Sequence, residues 1–441
     1  MEKRDSVEEA IRIVEVFNTL PIEKRVSIFR DLSAKAREEL ISSIARPGEI
    51  MRALSPEEVF YTVKELGEEN ALNLIAASTG NQLLYFLDID LWKNDMFDTP
   101  SAARWLHIIS SIGEDKMLHL LQTSDPELIV TAMSRFVKVQ IRNPEVDLVE
   151  QRDTLPAFTL DDVFYLDFLV HESEDAIKSF LAVVFEWNTH YYFGLMEELA
   201  RGVNLETEEM AGKWRRSRLA DKGFPEFDEA LEIYQYVLRR QIVESVPLPE
   251  EEARGQADGY HPHVWYPLTT VAEDSLFKRS LKEISDSQEN DRLSMELAHL
   301  ANKVMVADGR DPGSLEELQG SLSKVGGYIN IALEEFCEDD VLRAAELLRA
   351  NHVEILFRRG FSLILDLRKE AQKLLRDYDG GIENVGHPLA GLLTGLLQKR
   401  PYYAGNVVGE SRTRNFESLR DVEHIRNLLD KQTLEEGWEP I

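Results

Sequence analysis

The sequence predicts an all-α protein in which an N-terminal right-handed helical-repeat solenoid is followed by a helical C-terminal body. Apolar residues recur at helical spacing along most of the chain, capping residues precede these stripes, and no segment sustains the alternation typical of a strand. Breaks in this pattern divide the chain. We expect the solenoid over residues 1–145, a helical domain over 146–245, a linker or ordered loop over 246–268, and a helical C-terminal domain over 269–441.

The clearest helical phrase begins at Ser55. Ser55 as N-cap, a proline at the first helical position and Glu58 at the third have the spacing of a capping box. An apolar stripe follows, and Gly67 ends the helix because glycine adopts the left-handed conformation at little cost. A second helix comes next. The third starts at Thr79, with Gln82 at the reciprocal capping position, and completes a phrase of three helices.

The same three-helix pattern recurs further along the chain. Thr99 (followed by proline), Gly113 and Ser124 stand 44, 46 and 45 residues after the corresponding landmarks of the first copy. Ser124 also has a glutamate at the reciprocal capping position. Upstream, Ser6 opens a less regular set of helices, as expected of a terminal repeat that has one face in water. These copies are the basis of the predicted solenoid.

The remaining chain continues in helical patterns with one main interruption. TLDDVFYLDFL, SEDAIKSFLAVVFEW and FDEALEIYQYVLRRQI show helical periodicity with acidic first turns. The stretch VPLPEEEARGQADGYHPHVWYP is rich in proline and glycine, which favours a linker or long loop. Beyond it, Leu293, Leu297, Leu300 and Val304 form an apolar stripe at helical spacing. We therefore expect helices again in the C-terminal part.

The first phrase carries a resemblance to known families. LSPEEVFYTVKELGEENALNLIAASTGNQLLYFLDID has a Leu-x-Pro entry, an acidic first turn, a Leu-Gly break and a short capped third helix. It resembles the cytoplasmic N-terminal domain of MgtE-type magnesium transporters and, more distantly, the helical repeats of the flagellar motor switch protein FliG. The resemblance implies shape, since the transporter's membrane pore has no counterpart here. The whole chain resembles an uncharacterised bacterial protein family, which implies no activity.

The charge of the chain bears on its partners. It contains 80 acidic and 50 basic residues, a formal net charge of −30 at pH 7. Such a surface repels phosphate backbones, so nucleic acid is an unfavourable partner. The densest basic segment, KWRRSRLADK, contains Lys213, Arg215, Arg216 and Arg218. We interpret it as a solvated or ion-paired helix face within an acidic protein.

The apolar runs of the chain and its charged first residues bear on its cellular location. The apolar run FLAVVFEW is stopped by Glu186, no segment has the roughly 18 consecutive apolar residues of a membrane helix, and MEKRDSVEEA is charged. We therefore expect a cytoplasmic protein.

Cys337 is the single cysteine, and its acidic setting in EEFCEDD should raise its pKa. We interpret it as structural.

His261 and His263 form the first candidate metal site. They stand two residues apart in HPHVW, and in an extended segment this places both imidazoles on one side of the backbone. No third ligand stands at a recognisable spacing. The alternative is that these proline-flanked histidines cap or pack.

Two later pairs have, or nearly have, the Glu-x-x-His spacing of di-iron bundles. Glu296 and His299 have this spacing, and Asp421 and His424 nearly repeat it. Glu296 and His299 flank the apolar stripe of their helix and do not lie on it. We favour a solvated helix edge over a metal site for them.

Asp88 and Asp90 in LDIDLW are the remaining ligand candidates, since carboxylates bind hard cations. Two carboxylates are too few for a calcium or magnesium site of about six oxygens, so we expect neither ion transport nor strong magnesium sensing. The alternative is that they finish a helix and solvate the following junction. No phosphate-binding loop, nucleophile elbow, zincin motif or Cys-x-x-Cys pair is present, and we expect no cofactor.

Two classes of function remain. We favour a non-catalytic helical scaffold or adaptor that binds a protein partner through the repeat surface, because such arrays usually recognise other proteins. We expect residues 1–145 alone to fold and to bind at least one host protein. The alternative is a helical metal-binding protein or enzyme with a site near the C-terminal helices, using His261, His263, or the pair Glu296 and His299.

Overall fold

The computed structural model describes residues 14–93, 95–147, 151, 154–202, 205–243, 271–284, 287–376, 382, 385–386, 389–406, 409 and 413–434. Across this part of the chain the protein is mostly helical, as the sequence predicts. The chain divides into two compact units, Met1–Asp221 (unit 1) and Lys222–Ile441 (unit 2). The three boundaries predicted from the sequence therefore compare with one division in the structure, after Asp221.

Unit 1 begins with a series of short helices that contains both copies of the repeated phrase. The helices before the first copy include α1 (Ile22–Asp31), α2 (Ala34–Ser43) and α3 (Pro47–Arg52), and residues 14–19 are helical as well. The first copy consists of α4 (Pro56–Leu66), α5 (Leu72–Ala77) and α6 (Gly80–Asp90). The second consists of α7 (Thr99–Ile112), α8 (Glu114–Thr123) and α9 (Pro126–Phe136). Each copy is thus a set of three helices in the predicted order.

The predicted N-caps Ser55 and Thr79 are confirmed in the first copy, but the Glu58 side chain binds Arg30 and not the Ser55 backbone, so only Thr79 forms a complete capping box. Ser55 accepts a hydrogen bond from the Glu58 amide at 3.1 Å. Thr79 and Gln82 form a complete capping box, with side chain to backbone distances of 3.2 and 2.8 Å. Gly67 ends α4 at φ +81°, where a side chain would be strained. Ser6 lies outside the described residues.

In the second copy the N-caps lie one residue away from the sequence landmarks Thr99 and Ser124, and the predicted N-cap Ser124 is wrong. Asp98, not Thr99, precedes α7 and accepts a hydrogen bond from the Ser101 amide at 3.0 Å. Asp125, not Ser124, precedes α9. The reason at α9 is Pro126, which takes the first helical position and moves the start of the helix one residue on. The Ser124 hydroxyl is buried and has no hydrogen-bond partner.

Unit 1 also contains strands, so the expectation of helices only is incorrect in detail. β1 (Trp92–Lys93) pairs with β2 (Met96–Phe97). The strands of a second antiparallel sheet are β3 (Val137–Ile141), β4 (Phe158–Thr159) and β5 (Phe164–Phe168), and β5 lies between the other two. In the register of β3 and β5, Val137 lies opposite Phe168 and Ile141 opposite Phe164. These strands have two to five residues, too short for their alternation to stand out in the sequence.

The segment TLDDVFYLDFL, expected to be helical, forms the turn and strand of this sheet. Asp161 Oδ1 accepts hydrogen bonds from the amides of Val163 and Phe164, each at 2.9 Å. This side chain holds the backbone in a turn that competes with a helix. Three helices complete unit 1: α10 (Glu174–Trp187), α11 (Thr189–Arg201) and α12 (Leu205–Ala220).

Unit 2 is built around three long helices. Short elements come first: α13 (Phe227–Ala230), a 3₁₀ turn (Leu231–Tyr234), α14 (Arg239–Val243) and α15 (Leu276–Lys282). The long helices are α16 (Ser287–Asp308), α17 (Leu315–Cys337) and α19 (Val353–Arg376), with α18 (Val341–Ala350) between the last two; α20 (Leu389–Leu396) and α21 (Leu419–Leu434) follow.

The long helices of unit 2 pack closely because glycines stand at their crossings. A Cβ atom added to Gly360 of α19 would lie 1.9 Å from the Tyr328 carbonyl oxygen of α17. One added to Gly327 would lie 2.5 Å from the Phe416 carbonyl oxygen. The predicted stripe on α16 is confirmed, since Leu293, Leu297 and Leu300 are all buried. Among the described residues, no helix combines the length and the apolar character needed to cross a bilayer.

Candidate functional site

Asp88, the first of the two carboxylates proposed from the sequence, lies in a buried ion pair at the end of α6. Its side chain is 3% exposed, and its two oxygens accept hydrogen bonds from Nη2 and Nε of Arg218, both at 2.7 Å. Arg218 reaches Asp125 as well, at 2.6 Å. Burial raises the pKa of the Asp88 carboxyl, and the guanidinium opposes this rise. The pair makes Asp88 a structural group, with both oxygens held by the fold.

Asp90 lies only two residues further along α6 but has different partners. Asp90 Oδ2 is 2.6 Å from Lys64 Nζ and 2.9 Å from the Trp105 indole nitrogen. Burial raises the pKa of the Asp90 carboxyl, and the Lys64 ammonium acts in the opposite direction. Residues two apart in a helix point to different sides. The structure therefore does not bring Asp88 and Asp90 together as ligands of one cation.

The arginines that bind Asp88 come from the basic segment of α12. Besides Arg218, Arg215 donates from Nε to the Asp88 carbonyl oxygen at 2.7 Å, and its guanidinium stacks over the Trp92 ring at 5.6 Å. Arg215 also pairs with Asp95 at 3.3 Å. This pairing agrees with the interpretation of an ion-paired helix face, with two of the four cations joined to the end of α6 and the β1–β2 hairpin.

Neighbouring repeats are joined by polar caps that the sequence does not reveal. Glu38 of α2 accepts hydrogen bonds at 2.9 Å from the amides of Asn73 and Leu74, in the first turn of α5. At the other end of α5, Lys116 of α8 donates to the carbonyl oxygens of Ala76 and Ser78 at 3.2 and 2.7 Å. The middle helix α5 of the first copy is thus capped at both ends by side chains of other helices, α2 before it and α8 after it.

The exposed side of these middle helices carries polar and acidic side chains, beside the exposed Leu72 and Ala76 of α5. We call it the repeat face, and it consists of exposed side chains from α2, the α4–α5 segment, α5 and α8. Its members are Lys35, Glu39, Glu69, Asn73, Glu114, Asp115, His119 and Gln122. The inward sides supply the core of unit 1. A helix row with one buried and one exposed side is the arrangement expected of stacked repeats.

The remaining metal candidates do not form a site among the described residues. His261 and His263 lie outside these residues. Glu296 is bound by Arg292 at 2.8 Å and His352 at 3.0 Å, and it accepts the Val353 amide at 3.0 Å. In the part of the chain that the structure describes, no group of three or more His, Cys, Asp or Glu side chains is placed to hold a metal ion.

The other titratable groups singled out from the sequence have structural surroundings. The backbone of His299 packs against the turn at Gly223, where an added Cβ would lie 2.7 Å from the His299 Cα atom. Asp421 forms a bidentate pair with Arg414 at 2.7 and 3.0 Å, whereas His424 is exposed. Cys337 is buried, and burial raises the pKa of its thiol. A raised pKa disfavours the nucleophilic thiolate.

A buried charge cluster in unit 2 has no signal in the sequence. Asp308, at the end of α16, accepts hydrogen bonds from Lys324 at 2.7 Å and from the Tyr234 hydroxyl at 2.8 Å. Arg400 Nη1 lies 2.9 Å from the same carboxylate. Burial lowers the pKa of Lys324, while Asp308 acts to raise it. The three partners are separated from Asp308 by 16 to 92 residues, so only the tertiary fold brings them together.

These features define the class of protein: a mostly helical chain of two compact units, in which the prominent buried charges are paired within the fold. The chain belongs to the family described as "Family of unknown function (DUF6178)", whose model matches residues 15–434. No curated protein and no solved structure matches the chain. The resemblance of the N-terminal part to MgtE-type and FliG repeats stays a prediction.

Proposed function

We propose that the protein is a non-catalytic helical scaffold or adaptor that binds a protein partner through the repeat face of unit 1. In this proposal residues 1–145 form a right-handed solenoid, and the helices after residue 145 form a second helical body. The single observation that carries the proposal is the duplicated three-helix pattern, whose middle helices bury one side and expose the other.

The pairing of the buried charges in unit 1 favours a scaffold over a catalytic or metal-binding site in that unit. Asp88 and Asp90 are the carboxylates that a cation site would use, and both are bound by cationic side chains of the same unit. Lys116 is used to cap α5. The buried charged groups Asp88, Asp90 and Lys116 therefore hold helices together, whereas Glu114 and Asp115 are exposed on the repeat face.

The charge of the repeat face suggests the kind of partner. Four of its eight members are acidic and one is a lysine, in a chain with a net charge of −30. A basic or amphipathic protein segment complements such a surface, and salt should weaken the attraction because it screens exposed charges. Nucleic acid would be repelled. We place this activity in the cytoplasm as part of the same proposal.

The test reverses charge on the repeat face and compares it with the same reversal elsewhere. The test variant is Glu114→Lys with Asp115→Lys, and the control is Glu229→Lys with Glu423→Lys, which changes the net charge equally at exposed positions of unit 2. Proteins captured by the wild-type full chain from a lysate of the source organism are purified, and their dissociation constants are then measured directly at low and raised ionic strength.

We expect the repeat-face variant to bind at least about tenfold more weakly, because each reversal replaces an attraction by a repulsion. The control should bind as the wild type does. Equal loss in both variants would show that total charge, and not the repeat face, governs capture. A partner that binds both variants with wild-type affinity would place the binding surface elsewhere and reject the proposal.

A further inference from the structure

A crevice of about 620 Å³ opens in unit 2, beside the buried charge cluster. Its walls are the loop between α16 and α17, the first half of α17, and residues 413–417. It is lined by polar side chains and one glycine, among them Arg310, Ser314, Glu316, Gly320, Thr413 and Asn415. The proposed scaffold function does not use this crevice.

The walls of the crevice are fixed by contacts of their own. Arg414 stacks on the Tyr403 ring at 4.3 Å and forms the bidentate pair with Asp421. Asn330 of α17 donates to the Glu417 carbonyl oxygen at 2.9 Å, which ties residues 413–417 to that helix. A crevice whose walls are held in this way needs little rearrangement to accept a ligand.

Arg310 places a partly exposed positive charge in the crevice. Its Nε atom lies 3.9 Å from Asp308 Oδ2, beyond hydrogen-bond distance, and that carboxylate already binds Lys324 and Arg400. The guanidinium is 37% exposed. Gly320 leaves space beside it, since an added Cβ would lie 3.6 Å from Arg310 Nη1. The local charge around Asp308 is therefore positive, with three cations to one carboxylate.

The rim of the same crevice is acidic. Glu316 and Glu417 line it and are exposed, with Glu417 lying 3.8 Å from Arg414 Nη1, and Glu317 lines it while accepting the Asp311 amide at 2.7 Å. These carboxylates would repel a phosphate dianion, while Arg310 would repel a metal cation. A ligand that carries one negative and one positive group can pair with the Arg310 guanidinium and with the rim carboxylates at the same time.

We propose that this crevice binds a small zwitterion, a free α-amino acid or a dipeptide. Its carboxylate lies against the Arg310 guanidinium, which is suited to planar carboxylates. Its ammonium group lies toward Glu316 and Glu417 at the rim. The hydroxyls of Ser314 and Thr413 and the amide of Asn415 surround the rest of the ligand, and Gly320 gives the room that the ligand needs.

The test measures binding of the free amino acids and a set of dipeptides to the full chain by calorimetry, which also separates these two ligand sources. Arg310→Gln removes the charge, Gly320→Leu fills the crevice, and Arg349→Gln is a control at an exposed arginine of α18. We expect saturable binding by the wild type and the control. Arg310→Gln should bind at least about tenfold more weakly, as loss of a charged hydrogen bond predicts, and Gly320→Leu should not bind.

A second measurement uses the wild type alone, so the test does not depend on whether the variants fold. The best ligand is compared with its N-acetyl and its amide derivatives, which lack the ammonium and the carboxylate charge respectively. Each should bind at least about tenfold more weakly. Absence of binding by every amino acid and dipeptide overturns the proposal, and so does unchanged affinity for both derivatives or for a folded Arg310→Gln variant.

Discussion

At the scale of single residues, Lys116 is an unusual group because it is buried without a carboxylate partner. Its residue is 4% exposed, and the ammonium donates to two carbonyl oxygens at the end of α5. Burial lowers the pKa of Lys116 from 10.5 to about 8. Between these pH values the unfolded chain therefore binds more protons than the folded chain. The contribution of Lys116 to stability rises with pH across this window and is constant below it.

The comparison of wild type with Lys116→Met isolates this titration. We expect the free energy of unfolding of the wild type to increase relative to that of the variant between pH 8 and pH 10.5, by up to roughly 3 kcal/mol for a shift of this size. Urea unfolding at a series of pH values measures the difference. Parallel stability curves for the two proteins would mean that Lys116 has an ordinary pKa in the folded chain.

The Asp88–Arg218 pair is the second test at this scale. Arg218→Met leaves the Asp88 carboxylate buried without its main partner, and we expect a loss of about 3–5 kcal/mol. Asp88→Asn combined with Arg218→Met should recover part of it, because no charge then remains buried. Tryptophan fluorescence during urea unfolding is suitable, since four of the six tryptophans belong to unit 1.

Arg201→Met serves as the control for this loss. Arg201 pairs with Glu197 at 3.0 Å, but both side chains are more than half exposed, so the expected cost is below about 1 kcal/mol. An Arg218→Met variant no less stable than Arg201→Met would show that the buried pair contributes little.

At the scale of elements, the two repeat copies differ in their third helix, and the difference can be measured. Thr79 caps α6 through a complete capping box, whereas the Ser124 hydroxyl before α9 has no partner. Thr79→Ala should therefore cost about 1 kcal/mol of unfolding free energy, and Ser124→Ala close to nothing. Equal costs from denaturant unfolding would contradict the assignment of Asp125 as the N-cap of α9.

The crossing of α17 and α19 depends on a helix position without a side chain. Gly360→Ala places a Cβ against the Tyr328 carbonyl oxygen of the neighbouring helix, so the helices must separate. We expect a loss of more than about 2 kcal/mol. Gly194→Ala on α11 is the matched control, because nothing lies within 4 Å and alanine favours a helix. Thermal unfolding should therefore show opposite changes for the two variants.

The elements show how far the sequence could predict this fold. Helices with a capping residue, an apolar stripe and a terminal glycine were predictable, because each signal lies within about four residues of the others. α9 began one residue late because of Pro126, and the short strands β3 and β5 gave no clear pattern. The surroundings of Asp88 were not predictable, since its partner Arg218 is 130 residues away.

At the scale of the whole molecule, unit 1 extends well past the repeat that the sequence delimits. Its contacts continue to Asp221, and α12 supplies charges to both repeat copies. Arg218 binds Asp88 of the first copy and Asp125 before the last helix of the second. Glu208 of α12 pairs with Arg135 at 2.6 Å. A fragment that ends at residue 145 loses all of these partners.

The last prediction concerns the smallest fragment that folds. Residues 1–145 were expected from the sequence to suffice, but that fragment lacks α12, so Asp88 loses its ion pair with Arg218 and the side of α9 that packs on α12 becomes exposed. We therefore expect residues 1–221 to unfold cooperatively and residues 1–145 to be less stable by several kcal/mol, because apolar contacts and ion pairs with α12 are both lost. Circular dichroism during urea unfolding of both fragments measures this. If residues 1–145 unfold at the same urea concentration as residues 1–221, the repeat is autonomous, and α12 is an addition to it and not a part of its core.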